Sequence, residues 1–144
     1  MTRVSQISVF LENKSGRLAE VTRALADHQI NVRALCIAET IDYGVLRLIV
    51  NDPAKARQVL TDNGFTVTET GVMVVEIADR PGGLADVIER LAAKGMNIEY
   101  IYAFVTRSGE SAHVVFRLEQ MEEAARILSQ AGVRILSGEE VYRL

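Results

Sequence analysis

The sequence contains little of the chemistry on which metal centres and disulfide frameworks depend. Cys36 is the only cysteine among 144 residues, so an internal disulfide and a cysteine-based zinc site are both excluded. The two histidines, His28 and His113, are not spaced as metal ligands. A lone thiol fits a reducing compartment, and we expect a cytoplasmic protein with no metal and no cofactor.

Long apolar runs and a strong charge of either sign are also missing. The apolar runs are far shorter than the roughly 20 residues that cross a bilayer. Residues 1–6 enter a strand-like pattern without the apolar core of a signal peptide. The formal net charge is −3, and no basic run occurs. We therefore expect neither a membrane nor a nucleic acid among the partners.

What the sequence does contain is an internal repeat. Three pairs of segments match in the same order: 13–19 with 79–85, 30–32 with 96–98, and 59–64 with 127–132. The register slips by two residues between the second and third pairs, where 107–110 predicts a longer hairpin than 41–44. Matches in this order favour a duplication, with residues 1–70 as one unit and residues 71–144 as the other.

Each copy shows the same succession of hydrophobic periods. An alternating segment predicts a strand, and a stripe with helical spacing follows it. A hairpin, a short second helix and a last strand come next, and Gly64 and Gly132 are placed to end those second helices. The alternating residues are Ile7, Val9 and Leu11, then Met73, Val75 and Ile77; the stripes are Leu18, Val21, Thr22 and Leu25, then Leu84, Val87, Ile88 and Leu91.

The order βαββαβ, occurring twice, predicts an α+β fold of two ferredoxin-like units. Each unit has an antiparallel sheet with its helices on one face. Two local expectations accompany it. Pro81 suits the first position of a helix, where its missing N–H is not needed. Residues 139–144 resemble the chain entering 72–77, which predicts a terminal strand.

The segment between the first strand and the first helix of each copy is the candidate binding loop. In copy two, the glycines of 79–84 allow a ligand close to the backbone. The helix that follows presents unpaired amides, which attract a carboxylate. The side chain of Asp79, or of Asn13 in copy one, could accept hydrogen bonds from an ammonium group. The alternative is a glycine-rich helix start with a capping Asx residue.

These motifs resemble the ACT domain family. Residues 79–84 followed by 95–98 look like the signature of that family, and 13–18 followed by 30–32 repeat it in copy one. The likeness covers practically the whole chain, as a tandem pair with no catalytic domain attached. It implies a regulatory fold that binds amino acids where two ACT units meet.

The resemblance also implies site residues, because in such pairs the glycine loop of one unit faces the start of the second strand of its partner. Asn13 and Gly16 would then work with Asn97, and Asp79 and Gly82 with Asn31. Copy one departs from the pattern, so the two sites can differ in affinity, or only one binds. The departures are Ser15 in place of proline and Asn13 in place of the acid. The full candidate set is Asn13, Ser15, Gly16, Arg17, Leu18, Asn31, Asp79, Pro81, Gly82, Gly83, Leu84 and Asn97.

The sheet face away from the helices suggests a partner surface. If the strand bulges after Ile98, the rings of Tyr100, Tyr102 and Phe104 point away from the helices. A monomer seldom exposes such a patch, so we expect the rings to pack against another sheet or another subunit, and we favour a homodimer. The alternative is that these rings are ordinary core. Their counterparts in copy one are small: Ala34, Cys36 and Ala38.

The expected function is therefore a regulatory protein that binds a small amino acid and catalyses nothing. The signal would pass to a separate enzyme or transcription factor. A structural assembly module without a ligand is the first alternative. An RNA-binding βαββαβ protein is a weaker one, because the third strand lacks the basic and aromatic run of that module. No nucleophile–base pair or carboxylate pair stands out for an enzyme.

Overall fold

The computed structural model describes residues 3–105 and 109–144. Its strands are β1 (Arg3–Glu12), β2 (Val32–Glu39), β3 (Tyr43–Val50), β4 (Thr66–Ala78), β5 (Ile98–Ala103), β6 (Ser111–Leu118) and β7 (Ile135–Leu136). Its helices are α1 (Arg17–Asp27), α2 (Pro53–Asp62), α3 (Gly83–Ala92), α4 (Met121–Gln130) and α5 (Gly138–Tyr142). The longer hairpin expected at 107–110 falls partly on residues 106–108, outside the described residues.

The chain divides into two compact units. The N-terminal unit comprises Ser5–Thr70 with Tyr142–Leu144, and the C-terminal unit comprises Gly71–Val141 with the described residues up to Val4. Strand β4 passes from one unit into the other without a linker. The predicted α+β class with two ferredoxin-like units is confirmed, whereas the exact domain boundaries at 70 and 71 stay a prediction.

In the N-terminal unit, β3 lies between β1 and β2 and pairs antiparallel with both. Ile7 lies opposite Leu48, and the alternation predicted for the first strand is confirmed because its three apolar residues enter the core. Phe65 and Val67 pack against that core. The core residues are Ile7, Val9, Leu11, Val21, Leu25, Ile30, Leu46, Leu48, Val50, Ala56, Val59 and Leu60.

The last residues of the chain contribute to the same unit through Tyr142. The backbone N–H of Ser5 donates to the hydroxyl oxygen of Tyr142 at 3.0 Å. A guanidinium N–H of Arg33 donates to the Tyr142 carbonyl oxygen at 3.2 Å. The two bonds attach Tyr142 to β1 and to the beginning of β2.

In the C-terminal unit, β6 lies between β4 and β5, and the short β7 pairs with β4. Met73 lies opposite Phe116, which is fully buried. The first-strand alternation is again confirmed. The core residues are Met73, Val75, Ile77, Val87, Leu91, Val114, Phe116, Leu118, Met121, Ala124, Ala125, Ile127 and Leu128.

The two predicted helical stripes are only partly core. Leu18 and Leu84 lie in the first turns of α1 and α3 and are 40% and 36% exposed, respectively. Thr22 is exposed as well, and its hydroxyl donates to the carbonyl of Leu18 at 3.0 Å. The helices predicted from the two stripes are therefore confirmed, and of the stripe residues Val21, Leu25, Val87 and Leu91 are the buried ones. Gly64 and Gly132 do end α2 and α4, as predicted.

The face of the C-terminal sheet away from the helices carries the three rings, as predicted. The strand bulges between Ile98 and Tyr100, and Tyr102 lies opposite Val115. Tyr102 is only 9% exposed, so the central ring is covered within a single chain. Tyr100 stacks on Tyr102 with ring centroids 6.4 Å apart. Coverage of that ring needs no second copy, so the rings alone do not support dimerisation, which stays a prediction.

The predicted terminal strand is wrong, because residues 138–142 form helix α5. Its start is a reciprocal capping pair: the Glu140 N–H donates to the Ser137 hydroxyl at 3.2 Å, and the Ser137 N–H donates to the Glu140 carboxylate at 3.1 Å. Such a pair satisfies two amides that a helix start leaves open. Val141 is fully buried and holds the helix against its unit.

Pro81 does not begin a helix. Helix α3 begins at Gly83 after Gly82, and Pro81 lies in the preceding turn. The Gly83 N–H donates to the Arg80 carbonyl at 3.0 Å, so the turn closes before the helix starts. A Cβ built on Gly83 would lie 2.0 Å from the carbonyl oxygen of Ala78. The approach of β4 to α3 therefore requires a glycine here.

We expect the substitution Gly83→Ala to destabilise the C-terminal unit by about 2–3 kcal/mol, because backbone atoms must move to admit the methyl group. Urea unfolding would measure the loss. Gly16→Ala is the matched control: it stands at the other helix start, where a Cβ meets nothing within 4 Å. Its cost should be limited to the left-handed backbone, about 1 kcal/mol. Equal effects of the two substitutions would contradict the steric explanation.

We expect the capping carboxylate of Glu140 to make stability depend on pH. The hydrogen bond from the Ser137 backbone and the charge of Arg134 hold the pKa of Glu140 below its ordinary value of 4.5. Because its pKa is lower in the folded state, the carboxylate contributes stability that is fully present above its unfolded-state pKa. That contribution is lost as the pH falls through the folded-state pKa. The stability difference between the parent and Glu140→Gln should therefore be constant near neutral pH and shrink below pH 4.5. Glu139→Gln, which removes a neighbouring carboxylate outside the capping pair, is the control variant, and urea unfolding is the measurement.

Candidate functional site

The two leading helices begin in the same way. Gly16 precedes α1 with φ 91°, and Gly82 precedes α3 with φ 87°. Neither helix start has a hydrogen bond from a capping side chain. The amides of the first turn have no partner within a helix, and the helix dipole adds a partial positive charge there. Each start therefore offers hydrogen-bond donors suited to a carboxylate.

The side chain of Asn13 ties its loop to the β2–β3 hairpin. Its Nδ2 donates to the carbonyl oxygens of Thr40 and Ile41, both at 3.1 Å, and its backbone N–H donates to Asp42 at 2.8 Å. The alternative of a capping Asx residue is therefore wrong for Asn13. With Nδ2 directed at two carbonyls, Oδ1 is the atom left to accept, which is the role expected of this residue.

A small hollow of about 180 Å³ adjoins this loop within the N-terminal unit. The loop contributes Asn13, Arg17 and Leu18, all three predicted from the sequence, and the neighbouring hairpin contributes Ile37, Glu39 and Gly44. The volume lies below the usual range of ligand pockets, about 300–1,000 Å³. The hollow by itself is therefore too small to enclose a ligand of ordinary size.

The guanidinium of Arg17 forms ion pairs with neighbouring carboxylates. Its guanidinium donates to Glu20 and to Glu12, both at 3.0 Å. Glu20, and to a smaller degree Glu12, raises the pKa of Arg17 above its ordinary value. Lys14 also lies 3.5 Å from Glu12. Arg17 thus forms a wall of the hollow with its charge already balanced, and the backbone amides are the better carboxylate donors.

The loop of the C-terminal unit is equally accessible. Asp79, Pro81, Gly82 and Leu84 are exposed, whereas Gly83 is buried. The backbone N–H of Asp79 donates to the Glu110 carbonyl at 2.9 Å, which fixes the loop backbone where the exposed Asp79 stands, four residues before α3. The predicted loop residues are therefore brought together in this copy as well.

The two predicted asparagines lie away from the loop of their own unit. Asn31 precedes β2 and is bonded to Asn51, just after β3: the Asn31 N–H donates to the side-chain Oδ1 of Asn51 at 2.9 Å, and the Asn51 N–H donates to the Asn31 carbonyl at 3.1 Å. The loop at Asn13 contacts the opposite end of β2, at Thr40. Asn97 likewise precedes β5, whose first residue lies opposite the end of β6. The pairing of each loop with the asparagine of another unit stays a prediction.

The hairpin residues of the hollow were missed at the sequence level. Ile37, Glu39 and Gly44 were assigned to a strand or a turn only. Because the third strand returns beside the first, the far end of the second strand must lie next to the loop that leaves the first strand. The βαββαβ order therefore contained the signal that could have identified them.

Neither a metal site nor a membrane-spanning helix finds support in the part of the chain that the structure describes. Residues 3–105 and 109–144 hold no group of three or more histidine, cysteine or acidic side chains that could bind a metal. The same residues include no helix long and apolar enough to cross a membrane.

The fold and the paired helix starts define a class: tandem pairs of ferredoxin-like domains. The chain belongs to the ACT domain pair family, whose model matches residues 1–144. The resemblance stated from the sequence is thereby confirmed. None of the curated proteins compared matches the chain.

Solved structures agree with this assignment. Protein BT0572 from Bacteroides thetaiotaomicron is 44% identical over 99% of this chain and 98% of its own, with a TM-score of 0.93. The regulatory subunit of aspartate kinase from Thermus thermophilus, in a ligand-free form, is 23% identical over 88% of this chain and 91% of its own, with a TM-score of 0.63. The corresponding subunit from Thermus flavus is 21% identical over 91% and 94%, with a TM-score of 0.62. These two subunits share the fold.

We expect the substitution Asn13→Ala to release the β2–β3 hairpin from the loop. Losing the bonds to Thr40 and Ile41 should cost about 1 kcal/mol and speed amide hydrogen exchange at residues 40–43. Asn63→Ala is the control, because it removes a comparable amide bond, to the Val59 carbonyl at 2.7 Å, elsewhere in the unit. Unchanged exchange in the hairpin of Asn13→Ala would contradict the proposed tie.

Proposed function

We propose that this protein is a regulatory module that binds a small amino acid and performs no catalysis. The observation that carries the proposal is the repeated helix start. Both α1 and α3 follow a left-handed glycine, lack a side-chain cap and lie beside a polar side chain, Asn13 or Asp79. Membership of the ACT domain pair family supports the same function.

The two ends of an amino acid match the two kinds of group in each loop. The ligand carboxylate would accept hydrogen bonds from the first-turn amides, at Leu18 and Ala19 in one unit or at Leu84 and Ala85 in the other. The ligand ammonium would donate to Oδ1 of Asn13 or to the carboxylate of Asp79. The acidic residue in the second loop favours a cation more strongly, so we propose tighter binding there.

A neighbouring ACT unit would complete each site. The family resemblance pairs Asn13 and Gly16 with Asn97, and Asp79 and Gly82 with Asn31. Asn31 and Asn97 are both exposed, and each lies away from the glycine loop of its own unit, as a role in another unit's site requires. The small hollow beside Asn13 also needs a second wall to enclose a ligand.

We propose that a second copy of the chain forms part of the assembly. Strands β2 and β5 are the outermost strands of their sheets. Apolar side chains on them remain accessible: Leu35 is 36% exposed, Ile37 44% and Ile101 36%. Apolar residues at a strand edge favour association, and this support replaces the argument from the aromatic ladder.

The signal would be read by a separate protein. Solved relatives that share the fold are regulatory subunits of aspartate kinase, which favours a separate enzyme as the partner, and a transcription factor is the other candidate. A ligand that bridges two units would favour one arrangement of those units, and this differential affinity would be the regulatory mechanism.

The test is calorimetric titration of the protein with each of the twenty amino acids, combined with sedimentation analysis of its mass. We expect saturable heat from one amino acid or a few related ones, and a dimer. Absence of heat from all twenty, together with a stable dimer, would refute the ligand and support an assembly module.

Two substitutions would locate the binding. Ser15→Asp and Pro81→Asp each place a carboxylate at one exposed helix start. Repulsion of about 1 kcal/mol should weaken the affected site about fivefold. Ser129→Asp introduces the same charge at an exposed position on α4 and should leave binding unchanged. Equal weakening by all three variants would contradict the proposed location.

A further inference from the structure

Each unit contains a groove in the same place. The first groove, of about 300 Å³, is lined by the end of β1, the first turns of α1 and the turn after α2. The second groove, of about 440 Å³, is formed by the equivalent parts of the C-terminal unit. Each lining residue of the first groove has its repeat counterpart in the lining of the second. The matching segments are 10–12 with 76–78 and 63–66 with 131–134.

The two grooves differ in chemistry although their position is shared. Three aromatic rings line the first groove, from Phe10, Tyr43 and Phe65. Phe10 is 50% exposed and Tyr43 is 64% exposed. The repeat counterparts that line the second groove are Glu76, Ser111 and Val133. The aromatic lining is therefore specific to the first groove and does not follow from the fold.

The register of the sheet brings two of the rings together. Glu12 lies opposite Tyr43, and Phe10 lies opposite Val45. Opposed residues in an antiparallel pair share a face, and diagonal neighbours remain within reach of aromatic side chains. Phe10 and Tyr43 are thus diagonal neighbours on the sheet face away from the core, whereas Phe65 packs against the core and also lines the groove.

The charged side chains of the first groove are already paired. Arg17 donates to Glu12 and Glu20, both at 3.0 Å, and all three residues line the groove. A charged ligand group would have to displace one of these ion pairs. The rings are consequently the part of the groove that remains available for recognition.

We propose that the first groove binds a small molecule with a single aromatic ring, which packs against Phe10, Tyr43 and Phe65. The volume stands at the lower end of the range for ligand sites, about 300–1,000 Å³, which suits one ring with small substituents. Offset or edge-to-face packing on the rings provides the attraction. This site goes beyond the proposed amino-acid function: it shares Leu11, Glu12 and Arg17 with the hollow beside Asn13, but it is lined by the turn 63–66 and not by Asn13.

The test uses phenol, a ring that carries no amino-acid group, followed by two-dimensional NMR of the backbone amides. We expect saturable shifts confined to residues 10–12, 43 and 63–66. Cyclohexanol, which matches phenol in size but has no π-system, should give weaker shifts. Equal shifts from both compounds, or shifts scattered over the surface without saturation, would overturn the proposal.

The second groove indicates which substitutions should remove the aromatic lining of the first. The double substitution F10E/Y43S installs the residues of the second groove at two half-exposed or exposed positions, and it should weaken phenol binding about tenfold. Ile41→Ser is the control, because Ile41 is 91% exposed and is not part of the lining. The amide spectrum verifies that each variant is folded.

Two outcomes with these variants would overturn the proposal. One is phenol binding that persists unchanged in F10E/Y43S. The other is a groove that is covered in solution by a second copy, seen as shifts at 10–12 and 43 that depend on protein concentration and disappear in F10E/Y43S. Because phenol carries neither a carboxylate nor an ammonium group, failure here would leave the amino-acid titration unaffected.

Discussion

The turn from the first strand of each unit into its first helix is the constraint on which both fold and candidate site depend. In the C-terminal unit, the Ala78 carbonyl approaches Gly83 so closely that any side chain there would collide with it. In the N-terminal unit, the equivalent segment is held by Asn13, through its bonds to the hairpin. The tight turn lays the helix on the sheet, and it also leaves the helix start open and uncapped. Packing and ligand recognition thus draw on the same few residues.

The core and the order of the elements were predictable because they depend on periodicity. Ile7, Val9 and Leu11 alternate in the sequence and are buried in the structure, since a strand with one face on the core has only one way to place them. Because of the duplication, each predicted strand and helix was supported by two separate segments of the sequence. The position of the loops was equally predictable, because glycines and Asx residues just before a helical stripe indicate a turn.

What the sequence analysis missed depended on hydrogen bonds or on coverage by distant residues. The terminal strand was predicted from the likeness of 139–144 to 72–77, and the helix signal was overlooked. Ser137 and Glu140 have the spacing of a capping box, and an apolar residue follows them. The start of α3 was predicted two residues too early, at Pro81 instead of Gly83, because the two glycines after Pro81 extend the turn.

The two units have diverged in their surfaces while keeping their frame. The grooves beside α1 and α3 share their outline and differ in their rings and charges, and the loops differ at Asn13 and Asp79. A duplicated domain can in this way keep one set of packing requirements and acquire two recognition chemistries.

Strand β4 and Tyr142 carry a consequence for the history of the chain. The strand serves both units without interruption, and Tyr142, at the end of the second repeat, accepts hydrogen bonds from Ser5 and Arg33 in the unit formed mainly by the first. A gene cut at residue 70 would sever one strand and deprive the N-terminal unit of the tyrosine that receives the Ser5 amide. The first repeat therefore relies on a residue encoded at the far end of the second.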